Sequence, residues 1–352
     1  MMIKTVVAGL TLWGLGCTPE AAVSPIASVT SIVEAKTLPA IDAADALMAV
    51  DTDGDGLDTL LALRKGTLHI DEHNKDVDLG GTYQAHARGV LHGTDNEIAL
   101  IATGSGIGFS KAPMRLWKVD ATGTSLIWEH ESARNRMTDV AIVDGQIWIS
   151  WFSGPKTVTA GWLVDGSFTS VHEDHMAMHQ RPWDSGGVIV GRLYGEEPKS
   201  HGDLALWQDS KRRPLPSLRG VRALEVGDLD GEGTPEALVG DGWHHAYGAQ
   251  GDARLQLLSG VHLDTSRTIA FFDDDYSVEQ IELLGSGPAT RLLITTSSHV
   301  TVLERDALGW RQTPVSSFDG RGNAVGVRTE TGWMAAVSGD PVRRFHLDGA
   351  AP

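Results

Sequence analysis

A unit of about 46 residues recurs along the chain, and no other feature narrows the possible folds as far. Each copy reads as a short apolar strand, a polar turn, a second apolar strand ending in small residues, a variable loop and a third strand. The clearest copies are ALMAVDTDGDGLDTLLALRKG from Ala46 and ALEVGDLDGEGTPEALVGDGW from Ala223. Five weaker copies start at Arg88, Thr138, Met176, Gln280 and Asn323. Second strands centre near Leu60, Ala99, Trp148, Val188, Ala237, Leu293 and Ala335. Third strands are expected at Met114–Val119, Ala160–Val164, Asp203–Gln208, Arg254–Leu258, Val300–Glu304 and Val342–His346.

A period of ~40–50 residues with several strands per unit is that of a propeller blade. The reading is therefore an all-β, seven-bladed β-propeller of four-stranded antiparallel blades, spanning 31–352. Six or eight blades, an open solenoid or two smaller β domains are the alternatives. The last copy ends after its third strand, and Ser31–Leu38 precedes the first copy without a blade of its own. That segment is expected to supply the missing outer strand and close the ring, which removes exposed sheet edges. Composition agrees: 41 Gly residues and few helical runs suit short strands joined by tight turns. Most of the 11 Trp, including Trp117, Trp148, Trp162 and Trp207, fall in second or third strands and read as inter-blade packing.

The N-terminus reads as an export signal. A short basic start precedes the apolar run VVAGLTLWGLG, which is too short to span a bilayer. The chain's one cysteine, Cys17, follows it directly, so no intrachain disulfide forms. The stretch resembles a bacterial lipoprotein signal: residues 1–16 as signal peptide, Cys17 as the lipidation site and 17–30 as a small, nearly uncharged tether. The resemblance implies a lipid-anchored protein of the bacterial cell envelope, touching membrane through its anchor only, with plain secretion as the alternative. The net charge of −17 repels phosphate backbones and excludes nucleic acid as a partner.

The two best copies carry Asp-x-Asp-Gly-x-Gly between their first and second strands. Alternating carboxylates on a Gly turn converge on one point, as a hard, oxygen-seeking cation such as Ca²⁺ requires. Here the sequence resembles the FG-GAP/VCBS repeat family of integrin-like propellers, whose blades carry a calcium loop at this place. The family pattern implies Asp228, Asp230, Glu232, the Thr234 carbonyl and Glu236 as ligands in blade 5. In blade 1 it implies Asp51, Asp53, Asp55, the Leu57 carbonyl and Thr59, with Asp58 one place early. The cation would be structural. A self-satisfied Asx turn without an ion is the alternative.

On the opposite rim, loops between second and third strands and junctions between blades are expected to gather a ligand surface. The loop after Gly242 offers Trp243, His244, His245 and Tyr247, which suit a sugar or small molecule. Junction arginines Arg88, Arg136, Arg222 and Arg321 form a candidate anion site, unless each pairs with an acidic neighbour such as Asp139 or Glu225. His172, Glu173, Asp174 and His175 are placed at the blade 4 junction; strand alternation prevents them all from reaching one metal ion. No nucleophile elbow, phosphate loop or zinc-protease motif occurs.

The expected function is a binding module, monomeric, recognising a glycan, peptide or protein. The rival readings are an envelope polysaccharide lyase or hydrolase using His244, His245 and the arginines, and a non-catalytic scaffold.

Overall fold

Apolar runs of five to eight residues alternate with turns whose backbone only small or polar residues tolerate, so the chain folds into hairpin after hairpin. Lys65–Gly66, Asp144–Gly145 and Asp165–Gly166 each place two successive residues at positive φ. This is the turn that matches strand twist in a tight hairpin. A computed structural model describes residues 32–35, 44–70, 75–105, 113–131, 136–154, 157–175, 177–183, 186–193, 203–215, 220–242, 252–273, 275–285, 287–317 and 322–347. The expected signal, Cys17 and the tether lie outside the described residues.

The strands form seven four-stranded antiparallel sheets. In six of them the strands lie in chain order, starting from the inner strands Ala46–Val50, Thr82–Val90, Met137–Val143, Ala177–Trp183, Val221–Gly227 and Val278–Leu284. The seventh runs Ala324–Thr329, Gly332–Val337, Arg343–His346 and then Val33–Glu34, from the other end of the chain. Val33 pairs with His346 and Glu34 with Phe345, so the N-terminal segment closes the ring as expected. The fold is a seven-bladed all-β propeller. Among the described residues no helix is long and apolar enough to cross a membrane.

The core is divided into seven wedges, one between each pair of neighbouring blades. Leu61, Leu63, Ile101 and Val119 fill the wedge between blades 1 and 2. Leu47, Ala49, Val325 and Ala336 fill the one between blades 7 and 1. Burial falls radially: Arg291–Thr296, a second strand, is buried throughout, whereas the outer strand Thr265–Phe272 is exposed for most of its length. A second strand is covered on both faces, which explains its unbroken apolar run.

The inner strand of blade 2 starts at Thr82, six residues before the repeat copy identified in the sequence. Its sequence TYQAHARGV has few bulky apolar groups because it borders the central channel and is half-buried along most of its length. Five inner strands carry a β-bulge near their start, at Gln84, Thr138, Met178, Arg222 and Glu279. The bulge gives a common register around the channel.

The closing seam depends on a side chain. Asn323 of blade 7 accepts the Leu47 N–H and donates to the Leu47 carbonyl, both at 2.9 Å and buried. It bonds both backbone groups of a residue in blade 1, where no ladder connects the sheets. Replacing Asn323 with Ala leaves a buried donor and acceptor unmet, at about 1–3 kcal/mol each. We expect a loss of roughly 2–4 kcal/mol in urea unfolding; a loss below about 0.5 kcal/mol would show that the seam does not rest on this residue.

Candidate functional site

The two aspartate loops adopt one geometry. Asp51 Oδ1 accepts the Gly54 N–H at 2.7 Å and Oδ2 the Gly56 N–H at 2.9 Å. Asp228 does the same with Gly231 and Gly233, at 2.7 and 3.0 Å. Gly54, Gly56, Gly231 and Gly233 all have φ near +80°, which is why glycine recurs there. In blade 1, oxygens of Asp51, Asp53 and Asp55 lie within 4.8 Å of one another; in blade 5, those of Asp228, Asp230 and Glu236 do. Glu232 is exposed and stands outside that converging set. Burial pushes the Glu236 carboxyl up, and repulsion from Asp230 and Asp228 adds to this, against the Leu229 N–H that it accepts at 2.8 Å. Mutually repelling carboxylates fixed on a rigid turn have the donor chemistry of a hard-cation site.

The blade 1 loop faces a competing cation from the neighbouring blade. Arg328, which stands where blade 7 would carry its first aspartate, reaches across the seam. Its guanidinium lies 2.9 Å from Asp58, 3.2 Å from Glu97 and 3.7 Å from Asp51. Burial alone would lower its pKa, but Asp58, Glu97 and Asp51 outweigh it and raise it. Asp58, the acid one place early, faces this arginine and Arg88, and its side chain is fully buried.

The arginines do not form one ring. Arg136 directly precedes the inner strand of blade 3, and Arg222 is the bulge residue of blade 5, both at the end remote from the aspartate loops. Arg88 is four residues past the equivalent bulge position, Gln84, roughly 13 Å further along the strand. There it lies 3.1 Å from Glu282 and 3.3 Å from Asp58, near the aspartate-loop face. Its placement at a blade junction is therefore corrected: the strand begins earlier than its weak apolar pattern suggested.

His172, Glu173, Asp174 and His175 belong to the outer strand of blade 3, Ser167–His175, and not to a junction in blade 4. Asp174 pairs with Arg192, and the His172 ring packs on Trp207 at 5.1 Å. Trp243, His244, His245, Tyr247 and Arg321 lie outside the described residues.

The central channel holds a polar cluster that the sequence did not group together, although it offered Asp139 and Glu225 as partners for the junction arginines. A cavity of about 390 Å³ is lined by inner-strand residues of all seven blades. Three residues past the bulge, equivalent positions carry Arg181 in blade 4, Glu225 in blade 5 and Glu282 in blade 6. One residue past it stand Asp139 and His179, 3.8 Å apart, and Asp139 pairs with Arg181. Burial lowers the pKa of His179 to about 4, and that of His86, beside Arg88, also to about 4. Alignment of the repeats on the bulge would have exposed the shared position, but the bulge itself leaves no mark in the sequence.

This channel and these loops, on a ring of seven sheets, define a β-propeller of the binding and interaction class. No known protein family matches the chain, and no curated protein does.

Glu282 accepts the Gly326 N–H at 3.0 Å and faces Arg88, with Asp58 and Glu225 near it. Burial pushes its carboxyl from 4.5 up to about 7, against the pull of Arg88; Asp58 and Glu225 add to the rise. Between these values the unfolded chain releases a proton that the folded chain keeps, so stability falls as pH rises through that window. Glu282→Gln should flatten this part of the profile, because it removes the group that titrates there. Urea denaturation across pH checks it, and an unchanged slope would refute it.

Proposed function

We propose that this protein is a non-catalytic binding propeller of the FG-GAP/VCBS kind, displayed at a bacterial cell envelope through lipidated Cys17. Its aspartate loops in blades 1 and 5 hold structural Ca²⁺, and its partner is a glycan, peptide or protein recognised on the loop-rich rim. Arg136 and Arg222 belong to that rim, and Trp243, His244, His245, Tyr247 and Arg321 are the further ligand-binding residues of this proposal.

The observation that carries the reading is the repetition of one carboxylate-converging turn at two equivalent places, Asp51-Asp53-Asp55 and Asp228-Asp230-Glu236. Two such turns on one rim favour a role in stiffening loops. In blade 5 the ion would be held by Asp228, Asp230 and Glu236. In blade 1 it would be held by Asp51, Asp53 and Asp55, with Arg328 already relieving part of the repulsion.

Millimolar Ca²⁺ should raise the melting temperature and a chelator should reverse the rise. A site at 100 times its Kd adds about 2.7 kcal/mol. Asp230→Asn keeps an oxygen for the Glu232 N–H, accepted at 3.0 Å, while removing charge beside Glu236. It should therefore stabilise the Ca²⁺-free protein slightly and reduce the response to Ca²⁺. Melting curves that ignore both Ca²⁺ and chelator would overturn the cation reading.

The anchor is tested separately. Cys17→Ser should move the protein from the membrane to the soluble fraction on cell fractionation, and retention on membranes would exclude lipidation as the anchor.

A further inference from the structure

Beside blade 4 a second cavity, of about 700 Å³, opens between blades 3 and 5 and reaches Arg181 and Glu225 at the edge of the central channel. Small-molecule sites span ~300–1,000 Å³. The space has a cause in the sequence. Blade 4 leaves three residues between Ala177–Trp183 and Gly187–Arg192, where blade 5 has eight between Val221–Gly227 and Glu236–Asp241. Gly186 and Gly233 border the opening, and a Cβ on either would meet nothing within 4 Å.

The walls combine aromatic side chains with Asp144 and Asp228, and the inner end is polar. Trp162, half-buried, lines one side and is braced edge-on by buried Trp148, 4.9 Å away. Pro182 and Trp183 line another. At the inner end Arg181 is 7% exposed and ion-paired with Asp139, and its Nε has no hydrogen-bond partner among the described residues. Beside it Glu225 accepts the Val226 N–H at 3.2 Å, and burial holds its carboxyl above the ordinary range, against the attraction of Arg181. Both residues line the inner end of the cavity, which therefore holds a buried unmet donor and an acceptor with little solvation.

Charge decides among ligands. An anion would pair with Arg181 but face Glu225, with Asp144 and Asp228 also lining the cavity. A cation would be drawn to Asp144 and Asp228 but would meet the buried guanidinium at the inner end. A neutral hydroxylated ring accepts from Nε, donates to the Glu225 carboxylate and lays its C–H face on an indole.

We propose that this cavity binds a neutral saccharide unit, with Arg181 and Glu225 hydrogen-bonding its hydroxyls and Trp162 covering its apolar face. The site lies on the aspartate-loop side of the ring, away from the partner rim, and does not rest on the envelope or Ca²⁺ readings.

The test uses the full chain and a panel of methyl glycosides of neutral hexoses and N-acetylhexosamines, with glucuronate and glucosamine as charged controls. Binding is read by saturation-transfer NMR and calorimetry. At least one neutral glycoside should bind at millimolar concentration or below. Glu225→Gln should weaken it about tenfold or more, with the melting temperature held or raised. Trp162→Leu should weaken it about tenfold; if that variant fails to fold, Glu225→Gln still decides. Absence of binding by every neutral glycoside overturns the proposal. So does tighter binding of a charged control, or unchanged affinity in Glu225→Gln.

Discussion

Each sheet of this protein is apolar on both faces, so every blade must be covered by a neighbour on each side. Seven wedges of buried side chains meet that requirement, and the last of them forms only when residues from the two ends of the described chain meet. Covering a Val, Leu or Ile side chain is worth about 1.5–3 kcal/mol. An incomplete ring would expose a whole face of such residues. The circular arrangement, the central channel and the division into two rims all follow from that one demand for coverage.

The channel is the place where apolar coverage stops. Inner strands offer an edge to the axis, and in blade 2 most residues of that strand are half-buried. Polar groups collect there in mixed charge, with Arg88 against Glu282 and Asp58, and Arg181 against Asp139. Such pairs join blades that share no hydrogen-bond ladder. Removing one partner from a buried pair leaves an uncompensated charge, which is costly. Arg328 extends the same arrangement outward, joining blade 7 to the acids of blades 1 and 2. The electrostatics of this acidic chain are thus organised around a few arginines, each facing more than one carboxylate.

Much of the fold was legible in the sequence. Second and third strands carry dense apolar patterns because both their faces are covered. Second strands fall where the sequence placed them in all seven blades and third strands in six, the third strand of blade 1, Thr67–Ile70, having been left out. The outer strand supplied by the N-terminal segment was also legible, from a repeat that lacked its last member. The inner strand of blade 2 was less so: a strand that borders a channel does not need the apolar alternation by which strands are recognised, and Arg88 was misplaced as a result. His172 to His175 were assigned to the wrong blade because an outer strand, exposed on much of its surface, has little pattern to separate it from a loop.

What the sequence by itself determined is the repeat: its period, its number of copies, the two aspartate turns and the segment left over to close the ring. These are properties of local pattern, set by strand alternation and by glycine's tolerance of positive φ. The tertiary structure alone decided which charges meet. Arg328 and Asp58 are 270 residues apart, and Asn323 and Leu47 are 276 apart. Arg181 and Glu225 share a cavity only because successive blades bring equivalent positions to one level of the axis. No local pattern encodes such meetings, because they arise from the angle through which each sheet is turned relative to the last.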